Sequence, residues 1–211
     1  MSSAARIQLT RAGTRIEGDA AALADARTEF DRTHVLRLPD FVDAELLAEV
    51  QKHIASGTFH SKVHKASGVE MCMEPNAAVW LLRFLMVSAD VLTFVESVTG
   101  AAALSTFFGR VYRLDPGTDQ RHDWHDDLED GRQLGFSLNV SSDRFEGGAL
   151  QLRERDPERV TATVYNTTPG DAVIFRLHSN VQHQVHPITG TVPRTVFAGW
   201  FRSGVDVPKL K

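Results

Sequence analysis

Residues 169–187 read PGDAVIFRLHSNVQHQVHP, which combines a turn, a strand, a short loop and a second candidate strand. The Pro-Gly-Asp start favours a tight turn, and the apolar run at 172–175 favours a buried strand. Residues 181–186 form the next candidate strand, and Pro187 follows it. Short strands bounded by turn residues in this way decide the fold class of the whole second half of the chain.

Five further candidate strands follow the same pattern on both sides of this stretch. The candidate strands cover 105–114, 133–140, 149–153, 160–165, 172–175, 181–186 and 195–201. Turn-forming pairs separate them, among them Pro116-Gly117, Gly147-Gly148 and Thr189-Gly190. Seven or eight short strands at this spacing predict a sandwich or a barrel.

The first half of the chain has a helical period instead. The pattern predicts helices over about 19–30, 43–57 and 80–98, with Asp19 and Asp43 as N-caps and Gly100 after the last helix. Residues 58–76 have no period, so they are predicted to form a loop that acts as a lid or a substrate-recognition segment. We expect a single domain, 1–211, with a helical support region, 1–100, and a strand-rich core, 101–211.

Composition excludes several classes of protein. The chain has 211 residues, nine histidines, a single cysteine (Cys72) and a formal net charge of −4. One cysteine excludes a disulfide framework, and the mild acidity argues against a nucleic-acid partner. Residues 1–11 have no apolar stretch of secretory length, and Arg83 and Asp90 interrupt the most apolar region. We therefore expect a cytoplasmic protein with no membrane partner.

One histidine is followed two residues later by a carboxylate, in His125-Asp126-Asp127. On an extended chain, residues i and i+2 point to the same face, so His125 and Asp127 could reach one ion. Two imidazoles and one carboxylate form the facial triad that suits non-haem Fe(II). The simpler alternative is a histidine hydrogen-bonded to a turn carboxylate. A third ligand would come from the strand-rich tail, which offers His178, His183 and His186.

The second half resembles a known family in the content and order of its motifs. The motifs are YRLDPG at 112–117, WHDD at 124–127, FSLNV at 136–140, FEGGAL at 145–150, PGDAVIF at 169–175, HQVHP at 183–187 and GWF at 199–201. Together they resemble the Fe(II)- and 2-oxoglutarate-dependent oxygenases, most closely the prolyl-hydroxylase-like branch, over about residues 103–202. The resemblance implies an α+β fold with a double-stranded β-helix (jelly-roll) core of about eight strands supported by N-terminal helices.

The resemblance also assigns roles to five residues. It implies that His125, Asp127 and His183 bind Fe(II), because His183 begins the family's H-x-V-x-P phrase. Arg194 lies where the family places the basic residue that binds the far carboxylate of 2-oxoglutarate, and a guanidinium fork suits a carboxylate. Tyr112 matches the tyrosine that donates its hydroxyl to the same carboxylate, with an ordinary core tyrosine as the alternative.

The activity implied is that of a dioxygenase which hydroxylates an unactivated C–H bond and releases succinate and CO2. Its cofactors would be Fe(II), with 2-oxoglutarate as cosubstrate and ascorbate as an optional reductant. The expected partner is an amino-acid, peptide or small-molecule substrate. The acidic run Asp126, Glu129 and Asp130 departs from the family pattern; it would be a solvated loop or would attract a cationic substrate. Trp200 is expected to pack against the end of the barrel.

Four alternatives compete with this interpretation. A cupin-like metal protein would carry more histidines in the first motif, and a non-catalytic binding module of the same fold would have a broken triad. A halogenase would replace Asp127 with a small residue. A nucleic-acid demethylase would carry two arginines five residues apart after the distal histidine, a pattern that does not follow Arg194.

Overall fold

The computed structural model describes residues 4–64, 68–129 and 131–204. The helices of this part of the chain are α1 (Ala20–Thr33), α2 (Ala44–Ala55), α3 (Ala77–Met86) and α4 (Ala89–Thr99). The strands are β1 (Arg6–Thr10), β2 (Gly13–Glu17), β3 (Val35–Leu38), β4 (Phe59–His64), β5 (Gly68–Met73), β6 (Leu104–Leu114), β7 (His122–His125), β8 (Arg132–Asn139), β9 (Leu150–Arg155), β10 (Glu158–Val164), β11 (Ala172–Arg176), β12 (Val181–Val185) and β13 (Arg194–Ser203).

The eight strands from β6 to β13 form two antiparallel layers. One layer has the strand order β6-β13-β8-β11, and the other has the order β7-β12-β9-β10. The first layer is extended by β5 and β4 at one edge and by β3 at the other, and a single pair, Gly68 with His122, joins the two layers. This order confirms the predicted double-stranded β-helix of about eight strands.

Alternation along the strands of the first layer produces two separate cores. In β6, Phe107 and Val111 face the helices, whereas Tyr112 and Leu114 face the space between the two layers. In β13, Phe197 likewise faces the helices. Because successive side chains in a strand point to opposite faces, one layer can serve both cores. Full burial of each of these large apolar side chains contributes about 1.5–3 kcal/mol to folding.

Two predicted N-caps and one predicted C-terminus are confirmed. Asp19 accepts a hydrogen bond from the Ala22 N–H at 2.9 Å, and Asp43 accepts one from the Leu46 N–H at 2.8 Å. Each bond satisfies a backbone donor that the helix itself leaves unpaired. At the end of α4, Gly100 takes the left-handed conformation, with φ 61°, which glycine adopts without steric cost.

The prediction of one helix over 80–98 is wrong, because α3 and α4 are separated at Val87 and Ser88. The Val87 and Ser88 N–H groups bond to carbonyls three residues earlier, and Ser88 is extended, which ends the first helix. No single helix of the described chain is long and apolar enough to cross a membrane. The two helices reach the length and composition of a span only together, across a 60° bend.

The prediction of a loop over 58–76 is also wrong. β4 and β5 pair as an antiparallel hairpin, and β5 continues into the first layer by pairing with β6; residues 65–67 lie outside the described chain. Four of the six residues of β4 are exposed, so this edge strand lacks the apolar alternation that marks a strand in a sequence. The support region is therefore not purely helical: 1–100 also contains β1 to β5.

The two N-caps of α2 and α4 allow a matched stability test. Asp43→Ala should lower the free energy of unfolding by about 1 kcal/mol, because it removes the bond to the Leu46 N–H. Ser88 holds the corresponding position in α4 but makes no side-chain cap bond, so Ser88→Ala should leave stability nearly unchanged. Urea denaturation followed by circular dichroism measures both. Equal losses in the two variants would contradict the assigned cap.

Candidate active site

Three side chains converge near the open end of the second layer. His125 ends β7 and His183 lies in β12, and the two are direct cross-strand partners, so their imidazoles share one face. Asp127 follows β7 and places its Oδ1 3.7 Å from His125 Nε2 and its Oδ2 3.4 Å from His183 Nε2. The three donor atoms lie within 4.8 Å of one another, close enough to hold one metal ion.

Asp127 reaches this cluster by a different route from the one expected. The prediction assumed an extended chain through His125 and Asp127, but β7 ends at His125 and Asp127 takes a left-handed conformation with φ 54°. Aspartate is among the few residues other than glycine that adopt this region at modest cost. Trp200 Nε1–H donates a hydrogen bond to Asp127 Oδ2 at 2.9 Å, so a turn and an indole together orient the carboxylate.

The surroundings of the cluster set the protonation states that metal ligands need. Burial alone would raise the pKa of Asp127, but hydrogen bonding and charge from His183, with help from His125 and Trp200, hold it well below its usual range. Burial and the proximity of His183 lower the pKa of His125 to about 4. At neutral pH the site therefore holds an ionised carboxylate and a neutral His125, as metal binding requires.

The tautomer of His125 follows from its backbone contact. Its Nδ1 lies 2.6 Å from the carbonyl oxygen of Asp123, which can only accept, so Nδ1 carries the proton and donates. The lone pair on Nε2 then faces the carboxylate. Two imidazole nitrogens and one carboxylate oxygen on a single side of the cluster suit Fe(II) with open positions for other ligands.

The other two candidate histidines lie elsewhere. His178 is exposed, and its Nδ1 accepts a hydrogen bond from the Asn180 N–H at 3.2 Å. His186 is exposed as well and lies beside Gln151, with its Nε2 2.9 Å from the amide oxygen. Among the three histidines of the tail, the structure thus brings His183 to the pair His125 and Asp127.

A buried cation lies deeper in the same space. Arg194, the first residue of β13, is only 3% exposed; one terminal nitrogen donates to the Tyr112 hydroxyl at 2.9 Å, and the other lies 3.4 Å from Ser137 Oγ. No carboxylate of the described residues forms an ion pair with it. A buried guanidinium whose partners are two hydroxyls is a strong site for an incoming carboxylate. Sequence reasoning missed Ser137.

Both features open into one cavity of about 350 Å³, which is at the small end of ligand-binding sites. Trp200 packs against the apolar core between the two layers, and its indole also forms part of the cavity wall. The Arg132 guanidinium stacks on the indole, 3.6 Å from the ring centroid. The orientation of Trp200 follows from the strand alternation. Trp200 and Val196 are four residues apart in β13, so they lie on the same face, and Val196 faces the space between the layers.

A fully buried carboxylate supports the wall of this cavity. Glu70 in β5 accepts hydrogen bonds from Arg110 Nε at 2.9 Å, His122 Nε2 at 3.1 Å and His64 Nε2 at 3.0 Å. Burial alone would raise the pKa of Glu70, but the His122 hydrogen bond and the charge of Arg110 hold it well below its usual range. Sequence reasoning missed this cluster, although Arg110 stands two residues before Tyr112 on the same face of β6.

Comparison with known proteins agrees with this geometry. Residues 109–202 match the family model described as the 2OG-Fe(II) oxygenase superfamily. Over these residues the chain is similar to that superfamily. Fe(II) and 2-oxoglutarate are accordingly its cofactors, and the donor set of His125, Asp127 and His183 fits the metal. No significant match exists among curated protein sequences.

Solved structures of 2OG-Fe(II) oxygenases share the fold. A prolyl-4-hydroxylase from Pseudomonas putida aligns with a TM-score of 0.64 at 21% identity, over 87% of this chain and 100% of its own. A prolyl hydroxylase from Trichoplax adhaerens, in complex with a hypoxia inducible factor peptide fragment, aligns with a TM-score of 0.67 at 14% identity. The alignment covers 87% of this chain and 90% of the other. The epimerase SnoN, in complex with Fe3+, alpha ketoglutarate and nogalamycin RO, aligns with a TM-score of 0.62 at 14% identity. The alignment covers 92% of this chain and 93% of the other.

The indole bond to Asp127 can be tested by substitution. Trp200→Phe keeps an aromatic ring but removes the N–H donor, so we expect Fe(II) to bind about tenfold more weakly. Trp80→Phe, an exposed position on α3, is the matched control and should leave binding unchanged. Anaerobic Fe(II) titration followed by calorimetry measures both. Wild-type affinity in Trp200→Phe would remove Trp200 from this role.

Proposed function

We propose that this protein hydroxylates an unactivated C–H bond of an amino acid, a peptidyl residue or a small metabolite, with 2-oxoglutarate as cosubstrate. One observation carries the proposal: the His125, Asp127 and His183 cluster shares a small cavity with the buried guanidinium of Arg194. In the balanced reaction, one atom of O2 enters the substrate as a hydroxyl and the other enters succinate as CO2 leaves. A cytoplasmic location stays a prediction.

The two ends of the cavity would bind the metal and the far carboxylate of 2-oxoglutarate, respectively. His125, Asp127 and His183 would hold Fe(II), which together with 2-oxoglutarate supplies the oxidising chemistry when bound. Arg194 and the Tyr112 hydroxyl would bind the far carboxylate of 2-oxoglutarate. Fe(II), Asp127 and the doubly charged cosubstrate leave one negative charge, and the buried guanidinium of Arg194 offsets it.

Part of the wall of this cavity is apolar. The Phe175 ring lies 4.6 Å from the His183 ring, centroid to centroid, and Leu150 and Val185 also line the cavity. A site with few waters strengthens every electrostatic interaction inside it and protects reactive species from side reactions. These side chains therefore support an oxidation that must be directed to the substrate.

We also propose that the β4–β5 hairpin takes part in substrate recognition. Lys62 and His64 of β4 lie on the cavity wall, and β5 is hydrogen-bonded to the strand that carries Tyr112. The hairpin occupies the segment that was expected to be a lid loop, and its position beside the cavity supports the recognition role. The peptide complex of the Trichoplax enzyme and the metabolite complex of SnoN support both substrate classes.

The intact site argues against the competing functions. A non-catalytic binding module would have no need of both a complete donor set and a buried guanidinium. A halogenase would lack the carboxylate that Asp127 supplies. A cupin-like metal protein is the remaining alternative. A spectroscopic measurement of 2-oxoglutarate binding to the bound metal distinguishes it from an oxygenase, because only the oxygenase is expected to bind 2-oxoglutarate there.

Removal of Asp127 tests the metal site. Fe(II) and 2-oxoglutarate added to the protein without oxygen should give a weak visible charge-transfer band, and Asp127→Ala should abolish it. Asp126→Ala is the matched control, because Asp126 pairs with Arg155 and takes no part in the cluster. Absence of the band and of 2-oxoglutarate binding in the wild-type protein would overturn the proposed function.

Removal of Arg194 tests the cosubstrate site. Arg194→Gln should raise the 2-oxoglutarate concentration needed for half-maximal binding by about tenfold or more, because a charge-assisted pair is lost. Iron binding should persist. Arg159→Gln, at an exposed position, serves as the control. Isothermal titration with Fe(II) present measures the change, and unchanged cosubstrate affinity would exclude Arg194 from this role.

Reaction products identify the chemistry. Succinate release is measured against a panel of amino acids, peptides and small metabolites, and active compounds are analysed by mass spectrometry. We expect a product that has gained one oxygen atom. Loss of two hydrogens in its place would show that the same site carries out desaturation or ring closure instead of hydroxylation.

A further inference from the structure

The cavity contains cations that neither the metal nor 2-oxoglutarate uses in the proposed function. They include Arg110 on β6 and Lys62 on β4, and both lie on the cavity wall. We propose that the primary substrate carries a carboxylate, which Arg110 binds by its terminal nitrogens while Lys62 attracts it at the cavity mouth. This inference rests on the proposed function and names the substrate class of the same site.

Strand register places Arg110 between the cosubstrate end and the opening. Tyr112 lies opposite Val196, Arg110 lies opposite Ala198, and Phe108 lies opposite Trp200. Each step of two residues along β6 is about 7 Å and returns to the same face. Phe108 is 48% exposed, so it marks the rim. A substrate group at Arg110 would therefore lie outward of the cosubstrate.

The Arg110 side chain is held in position before any ligand binds. Its Nε–H donates to the buried Glu70 carboxylate at 2.9 Å, and its guanidinium carbon lies 5.5 Å from the Trp200 ring centroid and 5.8 Å from that of Tyr112. Among the described residues, only Glu70 pairs with it as a carboxylate. This bond uses the Nε–H at one edge of the guanidinium, so both terminal nitrogens stay free to form two parallel hydrogen bonds with a carboxylate.

Two carboxylates of the acidic run after the first ligand lie within the described residues, and each forms an ion pair with an arginine. Asp126 pairs with Arg155, and Glu129 pairs with Arg132 at 2.8 Å; Asp130 lies outside the described residues. Both described carboxylates are thus engaged by arginines. Asp126 and Glu129 therefore do not support the alternative that this acidic run attracts a cationic substrate.

The charges that line the cavity also favour an anion. Glu129 matches Arg132, and Glu70 matches Arg110. Fe(II) balances the two charges of 2-oxoglutarate, and Asp127 balances Arg194. Lys62, which is exposed and forms no ion pair within the described chain, remains as an unmatched positive charge at the mouth. A low-dielectric cleft with one excess cation raises the local concentration of anions.

The size of the cavity limits what can enter. About 350 Å³ must hold 2-oxoglutarate and the reacting part of the substrate together. A small organic acid, a peptide C-terminus or an acidic side chain of a peptide can each present a carboxylate within that space. These candidates share a carboxylate, and binding experiments with different acids can distinguish between them.

Ligand-observed NMR on the full chain, loaded with Zn(II) as a redox-inert metal and saturated with 2-oxoglutarate, tests the proposal. The probes are N-acetyl amino acids against their primary amides, and short peptides with an internal glutamate against the same peptides with glutamine. We expect at least one acid to bind about tenfold more tightly than its amide. Arg110→Gln should remove that preference without changing the affinity for 2-oxoglutarate.

Two further variants keep the result interpretable. Lys62→Gln, at an exposed position, should weaken binding of the acids by about threefold without affecting folding. Arg83→Gln is the matched control, because its guanidinium stacks on the outer side of Phe108, outside the cavity. If Arg110→Gln does not fold, the acid preference of the wild-type protein and its decrease by about threefold in Lys62→Gln decide the question.

Three results would overturn the proposal: acids that bind no more tightly than amides, a preference that survives in a folded Arg110→Gln, or acids that are displaced by 2-oxoglutarate and so occupy Arg194. The two proposals fail separately. Wild-type protein that binds no 2-oxoglutarate contradicts the proposed function, whereas protein that binds 2-oxoglutarate but shows no acid preference contradicts only the substrate class.

Discussion

The cross-strand pairing of His125 with His183 is the contact on which the site depends. It sets two imidazoles side by side across two short strands of the second layer, with the rings 4.2 Å apart. A slip of one residue in this register would turn one imidazole to the opposite face. The eight-stranded roll keeps the register, and the turn at Asp127 then needs to deliver only one carboxylate to complete the donor set.

A gradient of solvent exposure along the cavity follows from the same strands. Alternation in β6 and β13 sends one set of side chains toward the helices and the other toward the roll interior. The inward set becomes progressively more exposed, from the buried Arg194 and Tyr112, past Arg110, to Phe108 at the rim. The same strands thus form a closed end at Arg194 and an open end at Phe108.

Strand spacing and turn residues predicted a sandwich or a barrel, and the H-x-D phrase pointed to His125 and Asp127, because these are local signals. The jelly-roll topology and the choice of His183 rested on the resemblance to the oxygenase family. The features that were missed depend on contacts between distant segments. The β4–β5 hairpin lacks apolar alternation because β4 is an exposed edge strand, and the break between α3 and α4 carries no proline or glycine. Glu70 and Trp200 acquire their contacts only when the fold brings them to distant residues, Arg110 for Glu70 and Asp127 for Trp200.

The site can be observed directly in a crystal structure of the protein grown without oxygen in the presence of Fe(II) and 2-oxoglutarate, with anomalous data collected at the iron edge. We expect one iron bound by His125, Asp127 and His183, and the far carboxylate of 2-oxoglutarate on Arg194 and Tyr112. Iron bound at His178 or His186, or a cosubstrate carboxylate on Arg110, would contradict it.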